Sequence, residues 1–122
     1  MRVLLIEDDI ELRETYEDAL TADGHKVAGV ASAIAAITKL PQFLPHVVLL
    51  DMQIKGGTGE VVLLFIRNNP RLEDTRVYIV SGFPERAKQA AEHWNAEGWV
   101  PKPVGLADLR AIVRKKPRPE TN

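Results

Sequence analysis

No cysteine occurs in the 122 residues, which excludes a disulfide scaffold, a thiol nucleophile and cysteine-bound zinc, and suits a reducing cytoplasm. Neither sign of charge is in excess: the formal net charge is −1, so the chain carries no electrostatic footprint for nucleic acid or an anionic membrane. No apolar stretch approaches the roughly 20 residues that cross a bilayer. The run Val3-Leu4-Leu5-Ile6 ends at three acids, too soon for the core of a signal peptide, and reads as a strand. His25, His46 and His93 stand apart without metal-ligand spacing and read as structural or surface residues. Internal repeats and low-complexity segments are also missing. With 45% apolar and 27% charged residues, the chain has the composition of one ordinary globular domain with material for a single core.

Short apolar runs alternate with amphipathic stretches from end to end. Val3 to Ile6, His25 to Val30, Val47 to Leu50, Val77 to Val80 and Trp99-Val100 are the strand candidates. Leu12, Tyr16, Ala19 and Leu20 recur on one helical face, and Asp23-Gly24 supplies the residue for a left-handed C-cap. Ser32 caps a second predicted helix with Ile34, Ile37 and Leu40 on its apolar side, stopped by Pro41. Thr58 caps a third, from Gly59 to about Asn68. A fourth starts at Pro84 and ends near Asn95, and Leu106, Leu109, Ile112 and Val113 mark a fifth. Five β-α units in strict alternation predict a parallel sheet with helices on both faces. The domain is expected over residues 1–116. Residues 117–122, charged and proline-rich, read as a disordered tail or the start of a linker.

The polar residues at the strand ends carry the chemistry. Glu7, Asp8 and Asp9 follow the first strand, Asp51 the third, Ser81 the fourth, and Lys102 lies just beyond the fifth. In an open parallel sheet these positions project from one carboxyl edge, where such folds bind ligands. Taken singly, each has a plain structural reading. Asp9 reads as a helix N-cap, Asp51 or Ser81-Gly82 as a turn, and Lys102 as a solvated lysine. Their joint placement at the ends of separate strands is what points to a site. Glu7, Asp8 and Asp51 together would set like charges side by side, which demands a neutralising cation. Lys102 supplies one positive charge. All-oxygen ligands without histidine or cysteine favour Mg²⁺.

Ile6-Glu7-Asp8-Asp9, Leu50-Asp51 with Gly59 eight residues on, Val80-Ser81-Gly82 and Lys102-Pro103 together resemble the motif set of bacterial response-regulator receiver domains, from Met1 to about Lys116. The resemblance implies a flavodoxin-like, doubly wound five-stranded parallel sheet in order 2-1-3-4-5 with five helices. It implies Asp51 as phosphoryl acceptor, with Lys102 and Ser81 meeting the phosphoryl oxygens. Mg²⁺ would be held by Asp8, Asp51 and the backbone carbonyl of Gln53, with Glu7 acting through water. Ser81 and Trp99 would form the conformational switch, and the Lys102–Pro103 bond would be cis. The implied donor is a sensor histidine kinase or phosphotransfer protein in the cytoplasm, with no nucleic acid bound directly and no membrane. Such a domain is a signalling switch rather than an enzyme: it catalyses only its own phosphorylation and slow dephosphorylation.

Departures from the family pattern carry expectations of their own. Lys55 and Gly56 stand where the family often has proline, which loosens that loop, and Trp99 is bulkier than the usual Tyr or Phe. Phe83 and Gln53 flank the acceptor, and the large Phe83 is placed to shield an acyl phosphate. A homodimer or effector contact is expected through the fourth helix, fifth strand and fifth helix, or through an outer face of the third helix made by Val61, Leu64 and Phe65, with Val62, Leu63 and Ile66 facing inward. Among rivals, a haloacid-dehalogenase-type enzyme would want an acid at Gln53. A flavodoxin would want a hydroxyl- and glycine-rich loop where Glu7-Asp8-Asp9 stand. A pseudo-receiver, acting as a phosphorylation-independent interaction module, normally lacks one of the positions present here.

Overall fold

The computed structural model describes residues 1–54 and 56–115. Lys55 and the tail expected at 117–122 lie outside the described residues. Strands β1 (Arg2–Ile6), β2 (Lys26–Val30), β3 (Val47–Asp51), β4 (Arg76–Ser81) and β5 (Gly98–Pro101) alternate with helices α1 (Ile10–Ala22), α2 (Ala33–Phe43), α3 (Gly59–Arg67), α4 (Pro84–His93) and α5 (Leu106–Arg114). A 3₁₀ turn at Pro70–Leu72, which the sequence pattern did not signal, precedes β4.

The strands form one parallel sheet in the order β2-β1-β3-β4-β5, the expected flavodoxin-like arrangement. Successive residues of a strand point to opposite faces, and both faces are covered, so β1, β3 and β4 read as unbroken apolar runs. Leu4, Ile6, Val48, Leu50, Val77 and Ile79 join α2, α3 and α4 in one core. Val3, Leu5, Val47, Leu49, Tyr78 and Val80 join α1 and α5 in the other. Register sets the site: Ile6 lies level with Leu50, Asp51 with Val80, and Ser81 with Pro101. The strand ends therefore reach the carboxyl edge together.

Three expectations need correction. Helix α2 buries Ala33, Ala36 and Leu40 rather than Ile34, Ile37 and Leu40, and Ile34 is 69% exposed. Both sets fit a helical period, and the small alanines allow the closer approach to the sheet. Pro41 lies inside α2 instead of ending it. Being in the last turn it removes one backbone donor, while the Leu44 N–H still reaches the Leu40 carbonyl at 2.9 Å and the helix stops where Leu44 turns left-handed (φ 47°). Thr58 occupies the N-cap of α3 without a side-chain capping bond. Ser32 and Asp9 do cap, accepting from the N–H groups of Ala35 and Leu12 at 3.1 Å each.

In α3, Val62, Leu63 and Ile66 are buried and Val61 and Leu64 exposed, whereas Phe65 is half-buried against the core. The expected outer face is thus narrower than three residues.

Candidate functional site

The β1 ladder runs one residue past the strand, the Glu7 N–H donating to the Val30 carbonyl at 3.0 Å. That places the Glu7 side chain, 5% exposed, at the carboxyl edge. The Arg13 guanidinium donates to the Glu7 carbonyl at 2.9 Å, and the Asp9 N–H to Glu7 Oε1 at 3.2 Å. Asp51 ends β3 and is 2% exposed. The chain turns immediately after it: the Gln53 N–H donates back to Asp51 Oδ1 at 2.9 Å. Gly59 then begins α3 hard against that turn, where a Cβ would stand 3.0 Å from the Met52 Cα and 2.5 Å from its sulfur. A side chain at this position would require Met52 to shift.

On the other side, Ser81 ends β4 and is 1% exposed. Its Oγ accepts from the Phe83 N–H at 3.0 Å, and its carbonyl accepts from the Lys102 N–H at 2.9 Å. The Lys102–Pro103 peptide is cis, as expected. The Lys102 amine reaches inward to Asp51 Oδ2 at 2.7 Å and Glu7 Oε2 at 3.1 Å.

Oxygens of Glu7, Asp8 and Asp51 all lie within 4.8 Å of one another. Burial, and then the charge of Asp51, push the Glu7 carboxyl above the usual carboxylate range, although Lys102 pulls the other way. Burial alone would lower the Lys102 amine, but its hydrogen bonds and charge pairing with Asp51 and Glu7 outweigh that and leave it raised. One ammonium thus faces three carboxylates, two of them buried. This donor set fits a hard divalent cation with Mg²⁺ chemistry: oxygen atoms only, close together, and short of positive charge.

Glu7, Asp8, Asp51 and Lys102 are therefore brought together. Ser81 lies at the end of the neighbouring strand with its hydroxyl turned to Phe83. Gln53 is exposed, and its N–H donates to Asp51. Trp99 is half-buried against the α2–α3–α4 core. Phe83 is 48% exposed with the Arg86 guanidinium over its ring at 5.7 Å, and both line an opening of about 200 Å³ beside Ser81 and Gln53. Gly56 and Gly57 of the β3–α3 loop are left-handed.

Two residues in the neighbourhood carried no functional signal in the sequence reading. Arg13 sits on a polar helix face, and Tyr16 was legible only as part of an apolar stripe. The Tyr16 hydroxyl is buried and donates to the Val104 carbonyl at 3.0 Å. Burial, then the charge of Glu7, hold its ionisation above the ordinary phenol range, so the group is a donor at neutral pH.

The sequence matches the family model of the response regulator receiver domain over residues 3–114. It is similar to the transcriptional regulatory protein AfsQ1 of Streptomyces coelicolor, 30% identical across 98% of this chain and 54% of that protein. The chain thus spans about half the length of that relative. Its fold is similar to the chemotaxis response regulator CheY4 of Vibrio cholerae, with a TM-score of 0.85 at 23% identity over 93% of this chain and 95% of that one. It is also similar to the receiver domain of the sensor histidine kinase PA1611 of Pseudomonas aeruginosa, whose structure has a magnesium ion coordinated in the active site cleft. That likeness has a TM-score of 0.82 at 19% identity over 93% of each chain.

Proposed function

The chain belongs to the response regulator receiver domain family, and from that membership we propose that it is a signalling switch that accepts a phosphoryl group on Asp51 from the phosphohistidine of a partner kinase or phosphotransfer protein. An Asp51 carboxylate oxygen would attack the phosphorus, the O–P bond forming as the P–N bond breaks, and the imidazole would leave and take up a proton. The observation that carries this reading is the Lys102 amine, 2.7 Å from Asp51 Oδ2 in a cluster with two further carboxylates.

Phosphoryl transfer is catalysed chiefly by positioning and charge neutralisation. The Gln53 N–H and Lys102 fix the orientation of Asp51. Lys102 would follow the phosphoryl oxygens and compensate their charge, and Ser81 would donate its hydroxyl to a phosphoryl oxygen. Asp8, Asp51 and the Gln53 carbonyl would hold Mg²⁺, with Glu7 acting through water. The bound ion supplies positive charge that lets an anionic donor approach buried carboxylates.

Movement of Ser81 is proposed to reach α4, which begins three residues later and is anchored by Ala87, Ala90 and Ala91. Trp99, on adjacent β5, would respond with it, giving α4, β5 and α5 two surface states for a second copy or an effector. Phe83 would shield the acyl phosphate from water. No described helix is long and apolar enough to cross a membrane, and the proposed kinase-facing role would suit a cytoplasmic domain. Chemical turnover would be limited to its own phosphorylation and slow dephosphorylation.

Incubation with a small phosphodonor and Mg²⁺, read by intact mass, is expected to add one acid-stable, base-labile phosphoryl group to the wild type and none to Asp51→Asn. A folded wild type that takes up neither phosphoryl group nor beryllium fluoride would turn the assignment to a phosphorylation-independent interaction module.

A further inference from the structure

Lys102 sits on the short connection from β5 to α5, and its reach to Asp51 depends on where that connection lies. At its near end the backbone is tied to β4 by the Lys102 N–H and the Ser81 carbonyl, 2.9 Å apart. Pro103 follows and has no N–H to offer. Val104, two residues beyond the lysine, is 8% exposed, and its carbonyl accepts the Tyr16 hydroxyl at 3.0 Å across 88 residues of sequence. This bond runs from α1 to the segment that carries the lysine.

Packing on the side of the site is incomplete. A void of about 20 Å³ has Glu7, Asp51, Tyr16, Val104 and Leu109 among its lining residues. Val104 packs in the α1–α5 core, and the directed hydrogen bond adds to that non-directional contact a fixed position for its carbonyl. A phenol in an otherwise apolar stripe, beside Leu12, Ala19 and Leu20, needs such a partner when buried.

Resting on the phosphoryl-acceptor reading, we propose that Tyr16 is a positioning residue for the reaction: by holding the Val104 carbonyl it sets the distance and direction of the Lys102 amine from the group bound on Asp51. It touches neither donor nor metal and acts only through the lysine.

Tyr16→Phe keeps the ring and its packing and removes only the hydroxyl. Beryllium fluoride affinity at saturating Mg²⁺ is expected to fall about three- to tenfold, a part of what a lost bond to a buried carbonyl costs. Mg²⁺ affinity, measured separately by tryptophan fluorescence, should stay within about twofold, because the carboxylates are untouched. In a Lys102→Ala background the same change should weaken beryllium fluoride no further, since the lysine it positions is gone.

Unchanged beryllium fluoride affinity in Tyr16→Phe overturns the proposal, as does additivity with Lys102→Ala. A parallel loss of Mg²⁺ affinity also overturns it, by showing a general loosening of the fold. A wild type that binds Mg²⁺ but no beryllium fluoride defeats the acceptor reading itself, and the role of Tyr16 with it.

Discussion

The two edges of the sheet treat their polar groups in opposite ways. At the amino edge every bond found closes a demand. The Arg2 Nε donates to the carbonyls of Phe43 and Leu44 at 3.0 Å, and the Arg2 N–H to His46 Nδ1 at 2.8 Å. Thr75, 7% exposed, donates its hydroxyl to the Pro45 carbonyl at 2.8 Å, and buried Arg76 donates to the Lys115 carbonyl. At the carboxyl edge, like charges crowd together with one lysine between them. One edge is built for stability and the other holds a charge imbalance that a ligand would relieve. Such local conflict is expected where a fold gives up stability for function.

The contrast predicts opposite signs for mutations at the two edges. The largest effect belongs to the amino edge. Arg76→Ala leaves the Lys115 carbonyl without its donor at the point where α5 ends, and removes packing at the foot of β4. Unfolding by urea should show a loss of about 2–3 kcal/mol. A loss below about 0.5 kcal/mol would mean that this edge is not the structural one and would break the comparison.

At the carboxyl edge, Glu7→Gln should do the reverse. The folded chain holds the Glu7 proton to higher pH than the unfolded chain does. The metal-free fold therefore loses stability as pH rises from the ordinary carboxylate range through the raised folded value, and the loss is complete above it. Glutamine keeps an acceptor for Lys102 and carries no charge. The metal-free variant should melt higher than wild type at neutral pH, by a few degrees, and lose the pH dependence in that window. Added Mg²⁺ should stabilise wild type more than the variant, narrowing the gap. A variant that melts lower than wild type without metal would show that the carboxyl edge carries no stored imbalance.

The carboxyl edge was readable from sequence and the amino edge was not, for a physical reason. Asp51, Ser81 and the Glu7-Asp8-Asp9 run each end an uninterrupted apolar strand, and a polar residue ending a buried run marks the sheet edge without further geometry. Parallel order and register then bring them together. Thr75 precedes β4 and Arg76 is its first residue, positions where a polar residue is ordinary, and their partners Pro45 and Lys115 are 30 and 39 residues away. Tyr16 is hidden the same way: periodicity counts it as apolar, and its partner is 88 residues distant. The phase of α2 was undecidable by spacing because Ala33-Ala36-Leu40 and Ile34-Ile37 satisfy the same period. Alanine's small size, invisible to an apolar count, decided it.

The smallest effect lies away from both edges. Leu64 is 50% exposed on α3, beside Val61 at 45%, and with Ile37 and Phe65 it lines a shallow apolar groove of about 410 Å³ between α2 and α3. Phe65 is unsuited to a surface test, since its ring packs against the core that also holds α3 in place. Leu64→Lys changes surface character without opening a cavity, so urea unfolding should place it within about 0.5 kcal/mol of wild type. Sedimentation velocity over a concentration series then separates two cases. If wild type self-associates and the lysine variant does not, the groove joins copies of the chain. If the two sediment alike, the exposed leucine is one of the scattered apolar residues that any surface carries. A loss well above 0.5 kcal/mol would instead show that α3 depends on its outer face, and the split between a structural amino edge and a site-bearing carboxyl edge would have to admit a third region that contributes to stability.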